Sequence, residues 1–262
     1  MDTAYEFATQ LAEQTGHMLL ERFDFRGTAA DLKNDNSLVT AADMASDRML
    51  TDAIHREYPD DEIISEETDT YLGNVDAGVW IIDPIDGTTN FSLGLHIWGI
   101  SIAYVRNGAA QVAALYFPVL DELYSAKRDG GAYLNGTPIH VKPPAKNQPA
   151  AFFTCCTRTH RFYNVSVPYK TRIYGAAAYD MCLVARGAAV IGFQATTKIW
   201  DIAGGWLILE EAGGVVELLS GQPPFPLQTN TEYKQVNYPT LLAASPELSD
   251  KGRRWITTRP TS

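Results

Sequence analysis

The chain has 262 residues, 45% of them hydrophobic and 20% charged, with 21 basic against 31 acidic side chains and a formal net charge of −10. Such a composition suits one large globular domain or two closely packed halves, and the acidic balance argues against a general nucleic-acid or anionic-membrane surface. Cys155, Cys156 and Cys182 form neither a disulfide framework nor a zinc-ligand spacing, and are read as reduced thiols of a cytoplasmic protein. The opening Met-Asp-Thr-Ala-Tyr-Glu lacks the basic and apolar regions of a secretory leader. The longest apolar stretch, 97–105, is too short to span a bilayer.

The first predicted element is an amphipathic helix, because Ala4, Ala8, Leu11, Ala12, Thr15, Met18 and Leu19 recur at helical spacing. A polar connection, Lys33-Asn34-Asp35-Asn36-Ser37, precedes Leu38-Val39-Thr40 and a second helix over about 41–58, which Pro59-Asp60-Asp61 breaks. Strands are predicted over 62–65, ending at Glu66-Glu67, and over 79–82, ending in a turn. Asn107-Gly108 separates 97–106 from 111–117, and Asn135-Gly136 follows. Both dipeptides favour positive φ, so an antiparallel meander is expected. The proline-rich stretch 141–149 is the candidate boundary between an α+β part (1–145) and an α/β part (146–262) of one domain. Beyond it the pattern alternates: strand 151–154, helix 179–186, strand 189–193, helix 200–212, strand 215–218, a long irregular loop 221–238, strand 241–244 and helix 249–256.

The chemistry concentrates in Asp83-Pro84-Ile85-Asp86-Gly87-Thr88-Thr89. Pro84 stiffens the turn and Gly87 permits unusual backbone angles. Two carboxylates on such a turn suit a pair of hard cations, and Mg²⁺ favours few carboxylates plus water and phosphate oxygens. Thr88-Thr89-Asn90-Phe91 can start a helix whose first N–H groups favour an anion. The plainer reading is a β-turn with capping aspartates. Adjacent residues of a strand face opposite ways, so one of Glu66 and Glu67 is expected at a site. Glu66 is favoured, with Glu67 behind it or joined to a metal through water. Asp43 closes a capping box with Thr40, and on the functional reading also accepts from the Thr88 hydroxyl. Asp201 heads an apolar helical run, where it either caps the helix or meets Asp83 and Asp86 in space.

In order and spacing, Leu38-Val39-Thr40-x-x-Asp43, Glu66-Glu67, Asp83-Pro84-Ile85-Asp86-Gly87-Thr88-Thr89-Asn90-Phe91, Trp200-Asp201-x-Ala203-Gly204-Gly205 and Glu210-Glu211-Ala212-Gly213-Gly214 resemble the inositol monophosphatase family of lithium-sensitive, Mg²⁺-dependent phosphatases. The resemblance implies a layered αβαβα sandwich of α+β class, a homodimer and two to three Mg²⁺ ions per site. It implies a first metal on Glu66, Asp83 and the Ile85 carbonyl, and a second on Asp83, Asp86 and Asp201. A weaker third would rest on Glu66. Thr88, with Asp43 and Glu66, would position the attacking water, and the Gly87 and Thr88 N–H groups would bind phosphate. Asp86, Ala177, Gln194 and Asp201 would face the substrate, with Lys33 and Glu67 behind the ligands.

The chain also departs from the family pattern. Gln194 stands seven residues before Asp201, where many inositol-phosphate-hydrolysing members carry glutamate, and Gly175-Ala176-Ala177-Ala178 lacks the serine of Gly-Ser-Ala-Ala. The expected reaction is hydrolysis of a small phosphate monoester, inositol 1-phosphate or a related sugar or polyol phosphate. Fructose 1,6-bisphosphate and histidinol phosphate are the alternatives. Arg158, Arg161, Lys170 and Arg172 would serve a second phosphate, or form a solvated or dimer-facing surface. The reading from another class is a regulatory binding protein that keeps the fold.

Overall fold

The computed structural model describes residues 1–32, 38–68, 70–73, 77–144 and 151–259. Its helices are α1 (Asp2–Leu20), α2 (Ala41–Glu57), α3 (Thr88–Ser92), α4 (Thr159–Phe162), α5 (Ala177–Ala185), α6 (Ile199–Glu211) and α7 (Pro246–Trp255). No helix among the described residues is long and apolar enough to cross a membrane.

A seven-stranded sheet runs in the order Thr137–Ile139, Gly131–Leu134, Glu122–Lys127, Ala109–Phe117, Gly99–Arg106, Val79–Asp86, Glu62–Ser65. The predicted meander is present. Asn107 (φ 53°) with Gly108 (φ 77°), and Asn135 (φ 48°) with Gly136 (φ 73°), take the positive φ that tight hairpins require. Glu62–Ser65 joins its neighbour in parallel.

Helices α1 and α2 cover one face, burying Ala8, Leu11, Leu19, Leu50 and Ile54 against Trp80, Ile82, Ile100 and Tyr116. At Gly16 a Cβ would lie 2.4 Å from the Tyr116 ring, so glycine sets how closely α1 approaches the sheet. Trp80 is fully buried. Its ring lies 5.5 Å from Phe7 and 4.6 Å from Tyr104, and its Nε1 donates to Asp61 Oδ2 at 3.1 Å. Trp80→Ala is expected to destabilise by about 3–5 kcal/mol through the cavity it leaves. That would lower Tm by roughly 10 °C in a chain of this size, as thermal melting would show.

The opposite face packs on α5 and α6. Gly204 and Gly205 make this middle layer thin. A Cβ on Gly204 would sit 2.5 Å from Leu115 Cδ1, and one on Gly205 would sit 2.6 Å from Met181 Sδ. Beyond these helices lies a five-stranded sheet ordered Lys170–Arg172, Phe152–Cys155, Ile191–Thr197, Tyr238–Ala243, Val215–Leu218. Its outer face buries Phe153, Phe193 and Leu241 with Leu248 of α7 and with Tyr163, the residue that follows α4. The layers therefore read α-β-α-β-α, as the motif resemblance implied.

In the second half the sheet is mixed, because Tyr238–Ala243 inserts antiparallel to both neighbours. Two local expectations need correction. The strand predicted over 79–82 continues to Asp86, with a register shift between Asp83 and Asp86. The loop 221–238 contains the strand Thr231–Glu232, paired with Tyr71–Leu72, and a short helical turn that buries Tyr233. Most of the 141–149 boundary lies outside the described residues.

Candidate metal centre and adjoining cleft

The site forms where Val79–Asp86 changes register. Asp83 pairs with Ser101 and Asp86 with Gly99, so the strand carries one residue more than its partner. Such a bulge re-aims side chains, and a proline is tolerated there because its missing N–H falls outside the ladder. Ile85 N donates to Asp83 Oδ1 at 3.1 Å, and Ser46 Oγ of α2 donates to the Pro84 carbonyl at 2.8 Å, fixing the bulge from both sides. Gly87 follows with φ +90°. A Cβ there would lie 3.1 Å from the Ile97 carbonyl and 3.3 Å from Ala176 Cβ, in a conformation L side chains rarely adopt.

Carboxylate oxygens of Glu66, Asp83 and Asp201 all lie within 4.8 Å of one another. Three elements supply them: the turn after Glu62–Ser65, the bulged strand and the first turn of α6. Burial raises the Asp83 carboxyl well above its ordinary range, and Glu66, Asp86 and Asp201 push it further. Asp201 is raised by burial and by Glu66. Acids forced together in this way are stabilised by a cation. Carboxylate oxygens alone are the donor set that hard divalent ions such as Mg²⁺ take, so the residues fit the ion the motif implied.

Asp86 is used differently. Its Oδ1 accepts from Ala177 N and its Oδ2 from Ala178 N, both at 2.9 Å. It thus satisfies the start of α5, whose own preceding residue, Ala176, supplies no side-chain cap. Asp201 is not the N-cap of α6. It is the third residue of that helix and accepts from Lys198 N at 2.7 Å. Asp43 does close the capping box, accepting from Thr40 N at 2.7 Å. The Thr88 hydroxyl lies 3.0 Å from Asp43 Oδ1 and 3.1 Å from the Ile85 carbonyl, so the expected Asp43–Thr88 contact is present. Of Glu66 and Glu67, only Glu66 joins the three-carboxylate cluster. Lys33 lies outside the described residues.

A cleft of about 240 Å³ opens beside this centre, and its lining includes Asp86, Asp201, Ala177, Asp180, Gln194 and Arg158. Arg158 Nη1 donates to Thr196 Oγ1 at 3.2 Å. Arg161 instead lies over the Phe162 ring, and Lys170 and Arg172 sit on an exposed edge strand.

Other residues that hold the site escaped the sequence reading. Ser65 Oγ and Thr68 Oγ1 both donate to buried Asp47 Oδ1, bracketing Glu66 and Glu67. The available signal was spacing, since Asp43 and Asp47 share a face of α2. Asn90 Nδ2 donates to the Ile97 carbonyl at 2.6 Å and the Tyr174 carbonyl at 2.7 Å, joining the metal-side loop to the far wall.

A partly buried cluster of three carboxylates, beside a hydroxyl held by an aspartate, is an arrangement that could hold a metal ion. The family model described as "Inositol monophosphatase family", a family of phosphatases, matches residues 1–250, and the chain belongs to that family. It is 34% identical over 222 residues to a histidinol-phosphatase of Chlorobaculum parvum, covering 80% of this chain and 83% of that one. It is 31% identical over 244 residues to Nus factor SuhB of Escherichia coli K12, covering 88% and 90%. Among solved structures it resembles Thermotoga maritima IMPase with a TM-score of 0.79 and 29% identity, covering 97% and 96%.

Proposed function

We propose that this protein hydrolyses a small-molecule phosphate monoester at a Mg²⁺ centre, with inositol 1-phosphate or a related polyol phosphate as substrate. The observation that carries this reading is the convergence of Glu66, Asp83 and Asp201 within 4.8 Å, next to the Asp43–Thr88 pair. Glu66, Asp83, Asp201, Asp86 and the Ile85 carbonyl would hold two to three ions. When bound, these ions supply charge neutralisation for the phosphate and Lewis-acid assistance to its hydrolysis. They also let a protein of net charge −10 accept an anion.

The chain's own groups divide the remaining work. Asp43 and the Ile85 carbonyl leave the Thr88 hydroxyl a narrow range of directions, and with Glu66 it orients the attacking water. The Gly87 and Thr88 N–H groups receive the phosphate at the positive-φ turn. Ala177, Asp86, Gln194 and Asp201 face the alcohol half, with Glu67 behind the ligands. The working unit is read as a homodimer on the family resemblance alone, and as cytoplasmic on its reduced cysteines.

The test is phosphate release with Mg²⁺ from inositol 1-phosphate, fructose 1,6-bisphosphate, histidinol phosphate and adenosine 3′,5′-bisphosphate, each with and without Li⁺. Inositol 1-phosphate is expected to be turned over fastest, and Li⁺ to inhibit. Absence of release from every ester would favour a regulatory binding protein over an enzyme.

A further inference from the structure

The alcohol side of the cleft contains a buried polar unit of which the chemistry above uses only Gln194. Gln194 is fully buried on Ile191–Thr197, and Asp180 is almost fully buried on α5. Gln194 Nε2 donates to Asp180 Oδ2 at 2.5 Å, and Thr154 Oγ1 donates to Asp180 Oδ1. Gln194 Oε1 is buried and has no hydrogen-bond partner among the described residues. Both Asp180 and Gln194 line the cleft. A buried carbonyl without a donor is rare in folded proteins, and at a cleft wall it marks where a ligand's donor belongs.

We infer that Asp180 is a positioning residue: together with Thr154 it locks the Gln194 amide so that its carbonyl, not its NH₂ group, meets the leaving alcohol, selecting esters whose alcohol carries a hydroxyl. The inference rests on the phosphatase reading and extends it to the substrate's other half. Turning the amide over would set Oε1 against Oδ2, acceptor against acceptor. Burial pushes the Asp180 carboxyl up to about 8. A proton on Oδ1, toward Thr154, leaves Oδ2 an acceptor for Nε2, so the lock holds as long as Oδ2 itself is unprotonated. The neighbouring wall at Ala176 and Ala177 offers only methyl groups and backbone.

The test compares kcat/KM for glycerol 2-phosphate and isopropyl phosphate, which share a carbon skeleton and differ in the two hydroxyls, with inositol 1-phosphate as reference. The wild type is expected to prefer glycerol 2-phosphate by about tenfold or more, because a site built around a hydroxyl rejects the analogue lacking it. Asp180→Asn makes the two amide orientations equivalent, and Gln194→Met removes the acceptor. Each should cut that preference to about threefold or less, and the double variant should cut it no further. A merely structural role would slow both esters in proportion and keep the ratio. That result, or a wild type indifferent to the hydroxyls, overturns the inference. If Asp180→Asn does not fold, Gln194→Met decides. Failure to release phosphate from all three esters brings down the phosphatase reading, and this inference with it.

Discussion

Asp83→Asn is expected to lower kcat on the order of 10³-fold, a loss of about 4 kcal/mol in transition-state stabilisation. Among the described residues, Asp83 is the carboxylate that both the cluster and the bulge depend on. Its oxygens belong to the set with Glu66 and Asp201, and its Oδ1 also receives Ile85 N. Asparagine keeps the shape and an acceptor for Ile85 N but removes the charge that draws a cation.

The same change should make the metal-free protein more stable at neutral pH. The folded-state pKa of Asp83 is raised by burial and by its acidic neighbours. Between the unfolded value near 3.8 and that raised value, the folded state binds the extra proton. Stability without metal therefore falls as pH rises through this window, and Asp83→Asn removes part of the fall. Adding Mg²⁺ reverses the order. At about 100 times Kd a bound ligand stabilises by roughly 2.7 kcal/mol, so the wild-type Tm should climb by several degrees while that of Asp83→Asn stays near its metal-free value. A variant with wild-type kcat, or an equal response to Mg²⁺, would defeat the assignment.

Thr88→Val is expected to cost about 10²-fold in kcat or more, the range for losing a group that orients a proton-transferring partner. Valine retains the branch but cannot bridge Asp43 Oδ1 and the Ile85 carbonyl. Asp43 keeps its bonds from Thr40, so α2 stays capped and Tm should move little. The Mg²⁺-induced rise in Tm should survive, because Thr88 is not among the clustered carboxylates. The two variants thus separate holding the ions from using them. Loss of the Mg²⁺ response in Thr88→Val would show that the hydroxyl belongs to the metal set instead.

Short-range signals were legible wherever local chemistry alone decides the conformation. Asn-Gly hairpins need positive φ, and the Thr40–Asp43 box is complete within four residues. The amphipathic stripes of α1 and α2 and the order of acidic motifs likewise survive in the structure. What one sequence could not supply were partners set by tertiary packing. Asp86 reads in the sequence as a metal ligand or a turn residue, and nothing local announces that it also accepts from amides 91 and 92 positions away. Asp47, buried under Ser65 and Thr68, looked like one more polar residue of a helix. The stretch 241–244 reads as an ordinary strand, which the structure places at Tyr238–Ala243. Only the mixed sheet reveals its antiparallel insertion between Ile191–Thr197 and Val215–Leu218.

The cap that Asp86 places on α5 separates two tasks that could have been entangled. On the proposed assignment, the bulged strand and the turn beside it handle the bond being cut. Helix α5 and the strand Ile191–Thr197 handle what is attached to it. The mechanical joint between them is one carboxylate on two helix-start amides, with Asn90 bridging to Tyr174. Any helix beginning at that place would offer the same two amides, whatever side chains follow. Because those two groups are main-chain amides, side-chain changes at the cleft-lining positions 177 and 194 would leave that joint in place.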